Sequence, residues 1–168
     1  IQKKYYDIAD KVDVHIALTF PFDSLITDDE LKEKLISILK NYKPFPITCH
    51  GVSTSGYYKF LDIIEGKDIL MNISNEIYKI IIPEHLEYRN KYNYEPHISL
   101  ANMDSGKIEL DDYFYMTVGK VLVERIGPSD ESIKLFEVDL GKICNWQKIS
   151  CVLILSHGGI EYYEKYFS

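Results

Sequence analysis

Val14-His15-Ile16-Ala17-Leu18 and, in the second half of the chain, Pro96-His97-Ile98-Ser99-Leu100 share one local frame. Each has the apolar alternation of a strand. In a strand successive side chains point to opposite faces, so Ile and Leu enter a core while the histidine and the residue two along share the other face. Two imidazoles delivered in this way can flank one cleft. Histidine titrates near neutrality, so one ring can accept a proton while the other donates one, a division of labour that suits phosphodiester cleavage.

Outward from the first histidine, residues 12–20 read as a strand that stops at Pro21. Thr27-Asp28-Asp29-Glu30 forms a capping box, and Leu31, Leu35, Ile38 and Leu39 follow at helical spacing, predicting a helix to about Asn41. Residues 47–53 and 57–64 read as a hairpin around Thr54-Ser55-Gly56. Ile69, Leu70, Ile73, Ile77 and Ile80 mark a second amphipathic helix. A polar loop over 84–95 leads to the second histidine strand, and further strands are expected at 114–117, 120–126 and 132–140, the last two around a turn at Gly127-Pro128-Ser129-Asp130. Residues 1–11 read as a helix or part of one. At the other end, 149–155 is a β-rich apolar run and 160–167 a short amphipathic helix. The sum is an α+β fold with antiparallel sheet.

The chain has 168 residues, 46% of them hydrophobic, enough for a single packed domain over 1–168. No apolar run reaches the roughly 18 residues needed to cross a bilayer and no signal-peptide pattern opens the chain, so a soluble, cytoplasmic protein without membrane partners is expected. The three cysteines, Cys49, Cys144 and Cys151, have no C-x-x-C spacing and read as reduced, buried thiols. Net charge is −7, and the only arginines are Arg89 and Arg125. Duplex binding normally needs a basic patch, so extended nucleic-acid contacts are not expected, whereas one phosphate or an RNA end fits. Histidines and carboxylates show no ligand spacing for a metal, and no cofactor is implied. His50, His85 and His157 lack the strand frame and read as surface or satisfied histidines.

His15-Ile16-Ala17-Leu18-Thr19-Phe20-Pro21-Phe22, Lys43-Pro44-Phe45, Phe60-Leu61-Asp62-Ile63, Tyr94-Glu95-Pro96-His97-Ile98-Ser99-Leu100 and Phe136-Glu137-Val138-Asp139-Leu140-Gly141 occur in this order. Together they resemble the two-histidine phosphoesterase superfamily, in its bacterial 2′-5′ RNA ligase-like or cyclic phosphodiesterase-like branch. The resemblance implies a bilobal fold with pseudo-two-fold sheets, outer helices and a central cleft between the histidine strands. It implies metal-free cleavage of cyclic phosphates or related nucleotide phosphodiesters, with His15 and His97 as the acid-base pair; a monomer is expected. The roles of the two rings stay open.

The family motif is His, any residue, then Thr or Ser, whose hydroxyl binds phosphate. Ser99 satisfies it; Ala17 does not. Thr19 shares the face of His15 and is a second phosphate-binding candidate, although it lies about 6.6 Å beyond Ala17 along a strand. Tyr57, Tyr58, Lys59, Tyr94 and Arg125 are candidate donors or stacking faces for a nucleotide. The family order opens with a strand and a helix before its first histidine strand; here that unit is expected from residues 148–168, as in a circular permutation. The same residues also fit two other readings: a non-catalytic nucleotide or RNA-end binding module with a degenerate first motif, and a metal-dependent phosphoesterase.

Overall fold

The computed structural model describes residues 15–23, 25–92, 94–102, 106–128, 131–141 and 151–157. The elements run β1 (His15–Ala17), α1 (Asp28–Leu39), β2 (Phe45–Ser55), β3 (Tyr58–Glu65), α2 (Lys67–Ile80), a 3-10 turn (Pro83–His85), α3 (Leu86–Lys91), β4 (His97–Asn102), β5 (Phe114–Ile126), β6 (Ser132–Asp139) and β7 (Cys151–His157). The fold is α+β, as the alternating patterns predict. One sheet runs β1-β7-β5-β2-β3-β4, with β6 paired to β5.

Local chemistry accounts for the helices. Thr27 caps α1 through the Glu30 backbone N–H while the Glu30 carboxylate accepts from the Thr27 N–H at 3.0 Å, the reciprocal pair read from sequence. Those bonds hold the Glu30 carboxyl below its ordinary pKa. Leu31, Leu35 and Ile38 of α1, with Leu70, Ile73 and Ile77 of α2, are buried in the core that also takes Ile16, Ile47, Ile63, Ile98 and Val121 from the sheet. Each of those strand residues is out of phase with the histidines on β1 and β4. One face of the sheet is therefore core, and the other carries His15 and His97.

The sheet is antiparallel except at β7, which runs parallel to both β1 and β5. Local alternation does not specify strand direction, so this departure from an antiparallel expectation was not readable from the tail's composition. The helical segments expected at 1–11 and 160–167, on which a permuted order turns, lie outside the described residues, as do 129–130 of the expected turn. The segments 114–117 and 120–126 form one continuous strand, with a register shift between Val118 and Lys120 against β7. The expected loop over 84–95 holds the 3-10 turn and α3, because Arg89 turns inward and is buried. Its guanidinium lies over the rings of Tyr78 and Tyr94, at 5.4 and 5.5 Å from their centroids.

The first histidine strand is shorter than its pattern suggests. After Ala17 the backbone is held by side chains instead of a ladder: Tyr94 OH donates to the Ala17 carbonyl, Ser74 Oγ to the Leu18 carbonyl at 2.7 Å, and the Phe20 N–H donates to Tyr78 OH at 2.9 Å. Buried backbone groups must find partners, and here α2 and the segment before β4 provide them.

Gly66 precedes α2 with φ of 78°, and a Cβ there would sit 2.7 Å from the Pro46 carbonyl oxygen and 2.8 Å from Ile47 Cγ2. Left-handed backbone costs an L-residue about 1–2 kcal/mol before the clash is counted. Gly66→Ala is expected to lower unfolding stability by about 2 kcal/mol or more, read as a lower urea midpoint. An unchanged midpoint would show that the β3–α2 junction shifts freely.

Candidate active site

β1 and β4 stand at opposite ends of the hydrogen-bonded path, yet they lie against one another, tied by the bond from Tyr94 OH to the Ala17 carbonyl. Burial raises the Tyr94 phenol well above its ordinary value, so this hydroxyl stays a donor. The tie falls two residues past His15 on one strand and three before His97 on the other. The two imidazoles interact across this seam: burial pushes His97 below its ordinary 6.5, and the adjacent His15 adds to that shift.

Three groups oppose the shift in part. The Glu95 carbonyl oxygen lies 2.7 Å from His97 Nδ1, and the Asp62 and Glu95 carboxylates favour the cation. A carbonyl oxygen only accepts, so Nδ1 carries the proton and donates; in the neutral ring the free lone pair is then on Nε2. Asp62 is the register partner of His97, and Ser53 Oγ donates to its Oδ1 at 2.5 Å, fixing the carboxylate. Phe60, two residues earlier, packs its ring at 4.0 Å from the His97 ring and is the register partner of Ser99.

Ser99 lies two residues past His97 on the same face and is half-buried. Ala17 occupies the matching place after His15, also half-buried and without a hydroxyl. Thr19 is only 2% exposed and its Oγ1 has no hydrogen-bond partner, so this hydroxyl is closed off from an incoming phosphate. Tyr57 and Tyr58 continue the aromatic series outward from Phe60, with centroids 6.0 Å apart and then 6.4 Å to Phe60. Tyr94 is buried and serves the strand tie.

Lys59 and Arg125 are not brought to the histidines. Lys59 is out of phase with Tyr58 and Phe60, is buried, and donates to the Gly106 carbonyl. Arg125 pairs at 3.3 Å with Asp28, at the start of α1. An ion pair this exposed contributes little to stability. Both corrections have one cause: side-chain phase along a strand, together with a nearby acceptor, decides where a cation goes.

The sequence reading missed Asp62, Ser53 and Phe60 as parts of the site. Their signal was present, since Phe60 and Asp62 alternate with the buried Leu61 and Ile63, but only the β3–β4 register shows which histidine they face. His85 Nε2 lies 3.1 Å from the Asp23 carbonyl and His50 Nδ1 lies 3.3 Å from the Asp112 carbonyl, away from the pair. The His157 side chain lies outside the described residues. Burial pushes the Cys49 thiol up to about 11, and it is a free, buried cysteine; the Cys144 and Cys151 side chains lie outside the described residues. Among the described residues no His, Cys, Asp and Glu group of three or more gathers as a metal ion would require, and no helix is long and apolar enough to cross a membrane.

Comparison with known proteins adds a family and a fold. The model of the 2′-5′ RNA ligase superfamily matches residues 1–121. No curated protein sequence matches. Among solved structures the chain is similar to Escherichia coli LigT in complex with NADP+, at 13% identity and a TM-score of 0.52, over 77% of this chain and 78% of that one. It is similar also to a crystal structure described as a phosphoesterase, at 14% identity and a TM-score of 0.50, over 77% and 78% of the two chains. At such identities the likeness speaks for the fold.

Proposed function

The chain belongs to the 2′-5′ RNA ligase superfamily, and from that premise we propose that it is a phosphoesterase in which His15 and His97 act together, without a metal, on a cyclic phosphate or a short 2′-5′ or nucleotide-derived phosphodiester. The observation that carries this reading is the contact of β1 with β4, which brings His15 near enough to His97 to add to the lowering of its pKa that burial causes. That shift favours His97 as the base. His97, poised neutral with Nδ1–H on the Glu95 carbonyl, takes a proton from water through Nε2 as the water oxygen bonds to phosphorus. His15 donates its proton to the ribose oxygen as the phosphorus–oxygen bond breaks. The cycle leaves His97 protonated and His15 neutral, and exchange with solvent restores both.

Ser99 donates its hydroxyl to a phosphate oxygen in this arrangement, and Ala17 leaves the matching donor missing. Acid-base catalysis contributes typically 10²- to 10⁴-fold, so activity is weakened but retained. Ala17 favours a second reading, in which the site binds a nucleotide or an RNA end without turning it over. Hydrolysis of a 2′,3′-cyclic nucleotide with EDTA present separates the readings. EDTA-resistant turnover supports the phosphoesterase; binding with no turnover supports the module; turnover that EDTA abolishes supports metal chemistry.

The pH profile tests the assignment of the base. His97 must be neutral to accept a proton, and its pKa in the folded protein lies below 6.5. The acid limb of kcat/KM, which reports the free enzyme, is therefore expected below pH 6.5. An acid limb above that value would transfer the base role away from His97.

A further inference from the structure

The row of side chains that begins at His97 continues across the sheet. Asp62 is the register partner of His97, and opposite Asp62 on β2 lie two residues, His50 and Gly51, between the pairings Cys49 with Ile63 and Val52 with Leu61. This is a β-bulge, and Gly51, with φ of 81°, takes the left-handed conformation that such a bulge needs. One position beyond the pairing of Cys49 with Phe114 between β2 and β5, His50 faces Tyr113, and the two rings stack with centroids 4.1 Å apart and planes within 3°. Tyr115 follows on the same face, 75% exposed and nearly parallel to Tyr113, while Phe114 and Met116 between and beyond them pack on the core.

The spacing of these three rings is uneven. His50 and Tyr113 are in contact, but the Tyr113 and Tyr115 centroids are 6.5 Å apart, at an interplanar angle of 17°. Aromatic carbons in contact lie about 3.5–4.0 Å apart, so a planar ring seated between the two tyrosines needs only a small outward turn of the exposed Tyr115. Three strand spacings of about 4.8 Å put Tyr113 about 14 Å from His97 along the row. A nucleotide whose phosphate sits at His97 does not reach that far with its own base.

We propose that Tyr113 and Tyr115, braced by His50, form a second subsite that takes the base of a neighbouring nucleotide, so that the preferred substrate is a short single-stranded oligonucleotide end and not a free nucleotide. The proposal rests on the phosphoesterase reading for its ligand class. Asp62, Asp111 and Asp112 lie along or beside the row, and a long run of phosphates is repelled there. Stacking, which is indifferent to that charge, does the holding, and the His50 Nδ1 contact with the Asp112 carbonyl keeps the brace in place.

The test compares a 2′,3′-cyclic mononucleotide with a trinucleotide ending in a 2′,3′-cyclic phosphate, in the parent and in the Tyr113→Ala/Tyr115→Ala double variant. Base-aromatic stacking predicts a trinucleotide KM about tenfold or more below that of the mononucleotide in the parent. The double variant is expected to lose that advantage with kcat and mononucleotide turnover unchanged, and Tyr113→Phe/Tyr115→Phe to regain it. Fluorescence anisotropy with a labelled, uncleavable trinucleotide reads the same subsite without catalysis. Equal KM values for both substrates, with binding unaffected by the alanines, overturn the subsite and leave the phosphoesterase reading standing. Tyrosine-dependent binding without turnover in the parent supports the subsite and overturns the enzyme. Neither binding nor turnover overturns both.

Discussion

Replacing His97 or His15 by alanine is expected to lower kcat/KM for a 2′,3′-cyclic nucleotide by about 10²- to 10⁴-fold, because each ring moves one of the two protons that the reaction transfers. The double variant is expected to fall little further, since residues that act as a unit lose most of their effect with the first deletion. Steady-state kinetics on the four proteins measures this. A His15 variant with full activity would sink the paired mechanism. His97 also carries a stability signature that separates chemistry from folding. Its pKa is depressed in the folded state, so the unfolded chain binds the proton more readily. The fold is therefore expected to lose stability as pH falls through 6.5, until the folded-state value is passed. His97→Gln is expected to remove that contribution, seen in urea midpoints taken across this range. A variant that keeps its midpoint at neutral pH and loses turnover locates the defect in the reaction.

The second large effect is a gain. Ala17→Thr restores a hydroxyl two residues past His15, on the half-buried face that the imidazole shares. A hydrogen bond to a charged phosphate contributes roughly 1.5–3 kcal/mol, which corresponds to about ten- to a hundredfold in rate if it forms in the transition state. A β-branched residue suits a strand, and the Ala17 carbonyl keeps its bond from Tyr94 because the substitution touches only the side chain. The rise is expected in kcat/KM for the cyclic nucleotide. Unchanged kinetics would mean that the phosphate binds beyond reach of β1 and that Ser99 holds it alone.

The two histidines, Ala17 and Ser99 were legible from the sequence because a strand needs only its own alternation to divide inward from outward residues. Helix α1 was legible for the same kind of reason, since a capping box and a 3.6-residue apolar repeat are contained within a dozen positions. Thr19 shows the limit of phase alone: it keeps the histidine's alternation, yet it is buried, because the chain leaves the ladder after Ala17.

Contacts between distant segments decided the rest. The closeness of His15 to His97 depends on Tyr94 reaching Ala17, and the selection of Asp62 and Phe60 depends on the β3–β4 register. His50 joins Tyr113 only because β2 pairs with β5 in the register that sets Cys49 against Phe114. Arg89 turns inward only because Tyr78 and Tyr94 offer it their faces. The sequence by itself determined which residues point away from the core, because that property is local to each strand and helix. Tertiary structure decided which of them meet, because pairing, direction and bulges are set by the free energy of the whole sheet, which no single segment contains.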